Sequence, residues 1–540
     1  MKPHITEQKP VSVVRIQKQK EKVNLSPMFI GKIYSLGSLK DIEDGITFRI
    51  RNPMRDTLLT GVLDLAINTI KIPLDKVILM SHDTRKRACE VNEQNPFPFF
   101  IGEGVDLVIP RWTLDKNTTH KITFSFSTDL YGKIDLWVKD SVQENTPQIC
   151  RIPCERTADC SPDIVRQRQD FVEGFTGIKL RHLTRYSFDP ELAKGNIENF
   201  TGIAQIPLGF AGPLRVNGEH AKGEFLIPLC TSEGTLVASY NRGMKIINMC
   251  GGVCTTVVHE SMQRAPAFVF DSAREARNFT IWVDEHMEDI RVHAESTSRH
   301  AKLLNVEKYL VGRFVYLRFN YSTGDAAGQN MVSMATFVSC NWILSQVNSV
   351  RHFYMDANLA TDKKSSLINM LHTRGKRVIA EMVIPREIMI QHMRVDPETL
   401  DHLCRVGCLG AFMAGASNNG LHAANALAAL FMATGQDVAN IAESSAGIIY
   451  TEVTPEGNLY GSLTLPSLIV ATVGGGTNLP TQRECLEILG CYGPGKALKY
   501  SEIVTAVVAA GEISLAGALS SLDWVASHER CRKKTWRCHE

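Results

Sequence analysis

Residues 504–525 read VTAVVAAGEISLAGALSSLDWV, and this stretch decides the fold. Val504, Val508, Leu515, Leu519, Leu522 and Val525 fall at spacings of three, four and seven, so on a helix they share one face. Ala509, Ala510, Gly511, Ala516, Gly517 and Ala518 lie between them and are small enough to let a second helix come close. The pattern predicts a long, closely packed helix that ends near His528, before a basic stretch from Arg530 to Arg537.

Working outward, helical periods and glycine-rich loops dominate from residue 163 onward. Residues 146–162 carry Pro147, Pro153 and Pro162 with Cys150, Cys154 and Cys160, and read as a linker. A zinc site there would need a fourth ligand at zinc-like spacing, and none follows. Residues 28–145 read as strands. Ile46, Phe48 and Ile50 alternate with Thr47, Arg49 and Arg51; Phe124 and Phe126 alternate with Thr123 and Ser125; Ile134, Leu136 and Val138 alternate with Asp135, Trp137 and Lys139. Period-two alternation gives one wet and one buried face, which predicts a small antiparallel sandwich or barrel. Residues 1–27 are polar and basic, with Lys18, Lys20 and Lys22 close together, and read as a disordered tail.

With 540 residues the chain exceeds one ordinary core, so about three domains or subdomains are expected. Hydrophobic residues make up 44% and charged residues 21%, which is ordinary globular composition. A formal net charge of +2 excludes a global field for nucleic acid. The 14 cysteines are scattered, which suits reduced thiols in a cytoplasmic protein. No apolar run reaches the roughly 18 residues of a membrane span. The best stretch, Leu421 to Thr434, is too short, so a soluble chain without a membrane span is expected.

Two nucleotide signatures fail. No G-x-G-x-x-G follows a strand, and Gly490-Cys-Tyr-Gly-Pro-Gly495-Lys496-Ala497 lacks the Ser or Thr of a phosphate-binding loop. The latter reads as a loop between helices. Polar clusters beside apolar runs remain: Thr231-Ser-Glu233-Gly, Thr361-Asp362-Lys363-Lys364 and Gly435-Gln-Asp437. Singly each suits a cap or turn. Gly474-Gly475-Gly476-Thr477 would let a ligand approach the backbone, or make a turn.

Taken in order, these clusters resemble the 3-hydroxy-3-methylglutaryl-CoA reductase family. Glu198-Asn199-Phe-Thr-Gly202 with Ile206 to Leu214 resembles its opening signature. Thr231 to Gly243, Thr297-Ser298-Arg299, Gly324 to Met331, Thr361 to Lys364, Arg374-Gly375-Lys376, His422 to Asn425, Gly435 to Asp437, Thr472 to Thr477 and Ser527-His528 follow in the family's order. The similarity spans roughly residues 165–535 and looks closest to the eukaryotic-type branch, without its membrane anchor.

The resemblance implies NADPH-dependent reduction of 3-hydroxy-3-methylglutaryl-CoA to mevalonate and free CoA. Each hydride step builds negative charge on a substrate oxygen, which a fixed cation must meet. By resemblance Lys363 is that cation, Glu233 delivers a proton, Asp437 tunes both, and His528 protonates the departing thiolate. The resemblance places Ser239, Asn241, Arg242 and Ser527 near CoA and Arg264 and Asn425 near the acyl group, with Asn358 and Lys364 also substrate-binding. Ser298 and Arg299 match the pair that meets the adenosine 2′-phosphate, a good match for a guanidinium fork. Asp325, Gly328, Gln329 and Asn330 match the loop under the nicotinamide half. No metal is implied.

The implied architecture is α+β. A large, mainly helical domain (199–265 and 355–528) surrounds the long helix, with a ferredoxin-like cofactor domain inserted at 266–354. A helical subdomain occupies 163–198, the separate N-terminal antiparallel β domain lies before the linker, and a basic tail (529–540) closes the chain. Family sites form between subunits, which implies a dimer or tetramer in which the 361–364 segment meets Glu233 across or beside the interface. Some positions depart from the family: Ala327 and Gln329 replace methionines, and Asp356 stands where serine is common. Asp356 is expected to repel the substrate carboxylate unless a cation pairs with it. Arg405 falls near a family lysine that grips that carboxylate, and Lys533 and Lys534 replace a regulatory serine. The rival readings are a reductase of another branched acyl-CoA, and a non-catalytic acyl-CoA-binding protein.

Overall fold

The computed structural model describes residues 32–521 apart from 54, 82–83, 144–149 and 156–157. The expected basic tails, Leu522, Val525, Ser527 and His528 lie outside the described residues. The chain divides into two compact units, residues 1–149 with 340–348, and residues 150–339 with 349–540.

The first unit holds two antiparallel five-stranded sheets. Gly45–Arg51 pairs with Gly104–Pro110 in one, and Thr119–Thr128 lies between Thr57–Ile67 and Gly132–Ser141 in the other. The alternation read from the sequence is the burial pattern: Ile46, Phe48, Ile50, Phe124, Phe126, Ile134 and Leu136 are buried, while Trp137 is exposed. Asp140, at the end of the last strand, accepts hydrogen bonds from Tyr34 Oη (2.9 Å) and the Gly37 amide (3.0 Å), tying down the segment before the first strand.

The second unit is built on an eight-stranded antiparallel sheet. Its order is His352–Tyr354, Ala267–Val269, Phe314–Ser322, Cys254–Arg264, Gly375–Ile384, Leu459–Leu468 and Ile448–Val453, with Lys302–Val311 also pairing with Phe314–Ser322. Strand Cys254–Arg264 is the seam. Its first part pairs with Gly375–Ile384, and its last three residues pair with Phe314–Ser322. The region expected to be helical at 163–198 holds one helix, Pro162–Thr176, and a single 3-10 turn, Pro190–Ala193. Cys160 is buried beside Ile164, Val165 and Phe200, whereas Cys150 and Cys154 are exposed.

Helix Ala497–Ser520 packs against helices Leu236–Met249 and Ala423–Thr434 and against strand Gly375–Ile384. Every residue from Tyr500 to Glu512 is buried, so the single apolar face read from the periodicity was too narrow. Small residues explain how neighbours fit all round. A Cβ on Gly243 would sit 1.8 Å from the Ala510 carbonyl oxygen, and one on Gly511 would sit 2.4 Å from the Tyr240 ring.

This helix is also long and apolar enough to cross a membrane by length and composition, with a mean hydropathy of 1.8. This corrects the expectation that no apolar run is long enough: Glu502 and Glu512 interrupt the run, yet the helix as a whole stays apolar over a span's length. Here it is a core helix, and both glutamates are spent on backbone. Glu502 accepts from the amides of Glu219, His220 and Ala221 (3.1, 2.9 and 2.6 Å) at the tip of hairpin Leu208–Asn217/Lys222–Cys230. Glu512 accepts from the amides of Leu421 and His422 (2.7 and 2.8 Å), at the start of helix Ala423–Thr434. Buried amides need partners, and these two acids supply them without a strand.

Candidate active site

The loop between strand His352–Tyr354 and helix Leu367–Leu371 is folded against the ordinary backbone preference. Asn358, Thr361 and Lys363 have φ of 67°, 57° and 55°, in the left-handed region that β-branched threonine strongly disfavours. Side chains hold it there. Asp356 Oδ1 accepts from the Asn358 amide (2.9 Å), and Thr361 Oγ1 donates to Asn369 Oδ1 (2.7 Å). The conformation turns Lys363 outward so that its Nζ lies 2.9 Å from Asp437 Oδ2, with both side chains about half-exposed. That hydrogen bond to Asp437 raises the Lys363 ammonium above its ordinary pKa.

Asp437 is fixed from its own side. Helix Ala423–Thr434 ends on Gly435 at φ 69°, where a Cβ would meet the Gly476 carbonyl oxygen at 2.2 Å. The Gly435 and Gly474–Thr477 motifs are therefore in backbone contact. Asp437 then caps the turn Val438–Asn440, its Oδ1 accepting from the Ala439 amide at 3.1 Å.

Beneath the lysine lies a chain of charges. Arg374, fully buried, reaches Asp362 Oδ1 (2.6 Å) and Glu443 Oε1 (3.4 Å). Arg264 Nη1 lies 3.4 Å from Asp362 and 3.5 Å from Asp356, and its Nε donates to Ser333 Oγ at 2.6 Å. Burial pulls the Asp362 carboxyl up, but Arg374 and Arg264 together outweigh it and hold it below the ordinary range. The repulsion expected of Asp356 thus has its cation in Arg264. Lys364 is exposed, and its Nζ donates to the Asp362 carbonyl at 3.1 Å.

Gln329 joins this loop to the expected cofactor segment, its amide donating to Asp362 Oδ1 (3.2 Å) and Asn440 Oδ1 (3.0 Å). The polar replacement of a family methionine therefore has polar partners. Gly328 needs to be glycine: at φ 81° a Cβ would lie 2.3 Å from Thr323. Asn330 is exposed at the start of helix Gln329–Gln346. Asp325, expected in the loop under the nicotinamide half, is tied to the core helix. Its carboxylate accepts from the amides of Gly495, Lys496 and Ala497 (2.8, 3.0 and 3.1 Å) at the start of the core helix. Burial raises its pKa, and those amides outweigh the burial and lower it. The near-miss phosphate loop at 490–497 is thus a loop between helices whose amides serve Asp325. Ser298 Oγ accepts from the His300 amide (3.1 Å), and Arg299 is exposed.

The remaining expected residues surround the core helix. Glu233 stands exposed in the turn before helix Leu236–Met249, its amide donating to Thr231 Oγ1 at 2.9 Å. Among the described residues no hydrogen bond or ion pair joins it to Lys363 or Asp437. Asn241 Oδ1 accepts from the Gly212 amide (2.7 Å), and Arg242 donates to Ser514 through Nε (3.0 Å) and Nη2 (2.9 Å). Ser239 Oγ lies 3.3 Å from His422 Nε2, and Asn425 Nδ2 lies 2.9 Å from His422 Nδ1. Burial, then the nearby charge of Arg242, pushes the His422 imidazole down to about 4. Arg405 is mostly exposed on helix Pro397–Ala414 and pairs with Asp401 at 2.7 Å.

Of the expected catalytic four, the structure unites Lys363 with Asp437, sets Glu233 apart, and leaves His528 outside the described residues. Sequence reasoning missed Glu443, fully buried beside Arg374 and the Lys363 amide. The available signal was a single acid in the run Asn440-Ile-Ala-Glu443-Ser-Ser.

Comparison with known proteins covers both units. Residues 164–533 match the family profile of hydroxymethylglutaryl-coenzyme A reductase, and residues 29–143 match that of the hydroxymethylglutaryl-CoA reductase N-terminal domain. The β-rich region before the linker therefore matches a domain described under the same enzyme name. The 3-hydroxy-3-methylglutaryl-coenzyme A reductase of Methanocaldococcus jannaschii is 46% identical over 361 residues, covering 66% of this chain and 89% of that protein. That of Pyrococcus horikoshii is 45% identical over 370 residues, covering 67% and 90%. A solved structure of the Streptococcus pneumoniae enzyme has the same fold over 67% of this chain and 94% of that one, with a TM-score of 0.50 at 20% identity. The matched span contains the Lys363–Asp437 pair and the charges beneath it, and the chain belongs to the hydroxymethylglutaryl-coenzyme A reductase family.

Proposed function

We propose that this chain reduces 3-hydroxy-3-methylglutaryl-CoA to mevalonate and free CoA, with NADPH as the reductant. The observation that carries the reading is the Lys363–Asp437 pair, a half-exposed ammonium held by a strained loop and a capped turn. An oxyanion growing on a thioester or aldehyde carbon needs a cation already in place, and a preorganised one costs no reorganisation during reaction. Asp437 keeps Lys363 protonated and aimed. Arg264 and Lys364, with Asn358, line the same loop and suit the substrate's carboxylate and hydroxyl.

Residues of this chain also fit NADPH. Gly328 keeps the loop free of a Cβ where the backbone is tight, and Arg299 beside Ser298 offers an exposed guanidinium for a 2′-phosphate. When bound, the nicotinamide supplies hydride. Asp325 acts as a positioning group, locking its loop to the core helix, while Gln329 links that loop to Asp362 beside Lys363 and exposed Asn330 follows it. Ser239, Asn241 and Arg242 would hold CoA, with Asn425 near the acyl group. Glu233 would supply the proton to the substrate oxygen, and His528, with Ser527, would serve the departing thiolate.

Glu233 reaches its work through self-association in this reading. Helix Pro397–Ala414 exposes Val406, Leu409, Phe412 and Met413, at 53, 66, 84 and 86%, beside an apolar cleft of about 430 Å³. Such a contiguous face suits a second copy of the chain, as a dimer or tetramer. The proposed domain plan keeps 266–354 as a ferredoxin-like insert in a large domain built round the core helix. Every described cysteine is a free thiol, which supports a cytoplasmic setting.

The test is steady-state oxidation of NADPH and of NADH with 3-hydroxy-3-methylglutaryl-CoA and with other branched acyl-CoA thioesters. Turnover with the first thioester and a preference for NADPH are expected. Preference for another thioester, or CoA binding without NADPH oxidation, overturns the proposal.

A further inference from the structure

We propose that Glu443 is the positioning residue of the lysine loop, its buried carboxylate seating the Lys363 amide so that the ammonium meets Asp437. The inference rests on the reading of Lys363 as the cation of the reaction, and adds a residue that no motif marked.

The geometry is a two-point grip. The Lys363 amide donates to Glu443 Oε1 at 3.1 Å, and its ammonium meets Asp437 Oδ2 at 2.9 Å. Both acceptors come from one short stretch, the capped turn Val438–Asn440 followed by the helical turn Ile441–Ser444. That stretch is itself anchored, since Ser444 Oγ accepts from the Ile469 amide (3.0 Å) and Gln436 Oε1 from the Ala471 amide (2.7 Å). Lys363 at φ 55° adopts a backbone conformation it would not choose alone, and a contact from outside the loop adds to the local ones that hold it. The Lys363 amide donates to Glu443 Oε1.

A carboxylate is a costly way to fill a core position. Glu443 has no exposed surface, and among the described residues its buried Oε2 has no hydrogen-bond partner. Arg374 Nε at 3.4 Å supplies the countercharge, and the same guanidinium grips Asp362, the residue before Lys363. Glu443 and Arg374 therefore hold consecutive residues of the loop from below. A residue needed only for packing would not require this acceptor, since a buried pair gives little net stability over apolar replacements.

The experiment compares three variants of the full chain for kcat, KM and thermal stability. Glu443→Gln keeps the length and an acceptor oxygen. Glu443→Asp withdraws the acceptor by one methylene, and Glu443→Met keeps the length without an acceptor. The expected result is a kcat within about threefold of the parent for Gln, and about tenfold or more below it for Asp and Met, because small misplacements of a reacting group are costly. KM for both substrates should change little. Met covers the case in which Asp fails to fold. A full kcat in Asp or Met, or a Gln variant as impaired as they are, overturns the proposal. A parent chain without substrate-dependent NADPH oxidation would instead overturn the function proposed above, so the two failures are distinguishable.

Discussion

Lys363 Nζ and Asp437 Oδ2 lie 2.9 Å apart, joining a left-handed loop to the turn that follows helix Ala423–Thr434. Because both side chains are about half-exposed, the pair adds little to stability, and its worth lies in where it places a charge.

Lys363→Ala and Asp437→Asn should therefore separate activity from folding. We expect kcat to fall by about 100-fold or more, the scale seen when a preorganised group at a developing oxyanion is removed. Thermal melts should stay close to the parent. A Lys363→Ala enzyme with full turnover would refute the assigned role.

If Arg264 grips the substrate's carboxylate as proposed, its pair with Asp356 competes with the substrate. With the pair at 3.5 Å and Asp356 substantially exposed, its release is worth at most about 1 kcal/mol, or about fivefold in binding. Asp356→Asn is expected to lower KM for 3-hydroxy-3-methylglutaryl-CoA by up to that factor, leaving KM for NADPH unchanged. A rise in KM would show that Asp356 assists binding.

His422 predicts an acid sensitivity. Its imidazole is pushed from 6.5 to about 4 by burial and then by Arg242, so the folded chain resists a proton that the unfolded chain accepts. Its contribution is fully present above the unfolded value and is lost as pH falls toward the folded one, amounting to about 3 kcal/mol at most. Urea midpoints at pH 7 and pH 5 should fall further apart for the parent than for His422→Gln. Equal drops would count against this assignment.

Gly243 tests the close helix crossing. Gly243→Ala forces a Cβ to within 1.8 Å of the Ala510 carbonyl oxygen and should destabilise by about 3 kcal/mol. Gly174→Ala, in helix Pro162–Thr176 with nothing within 4 Å, should be neutral or slightly stabilising. Differential scanning calorimetry of both variants checks the contrast.

Local patterns were legible in the sequence because they depend on near neighbours. Alternation at Ile46, Phe48 and Ile50 is the burial of that strand, and the small residues of Ala497–Ser520 did announce close packing. The order of the polar motifs was enough to point to the family. A helical period, however, scores alanine and glycine as indifferent, so it drew one face on a helix that is buried all round from Tyr500 to Glu512.

Amino-acid order by itself determined the class of elements, the buried strand faces and the resemblance. Only the tertiary structure decided what each charge does. Asp325, Glu502 and Glu512 spend their carboxylates on backbone amides far away in the chain, Arg264 neutralises Asp356, and Glu443 reaches the Lys363 amide. A carboxylate's partner is set by which distant amide or guanidinium folding brings within 3 Å or so, and no spacing along the chain carries that distance.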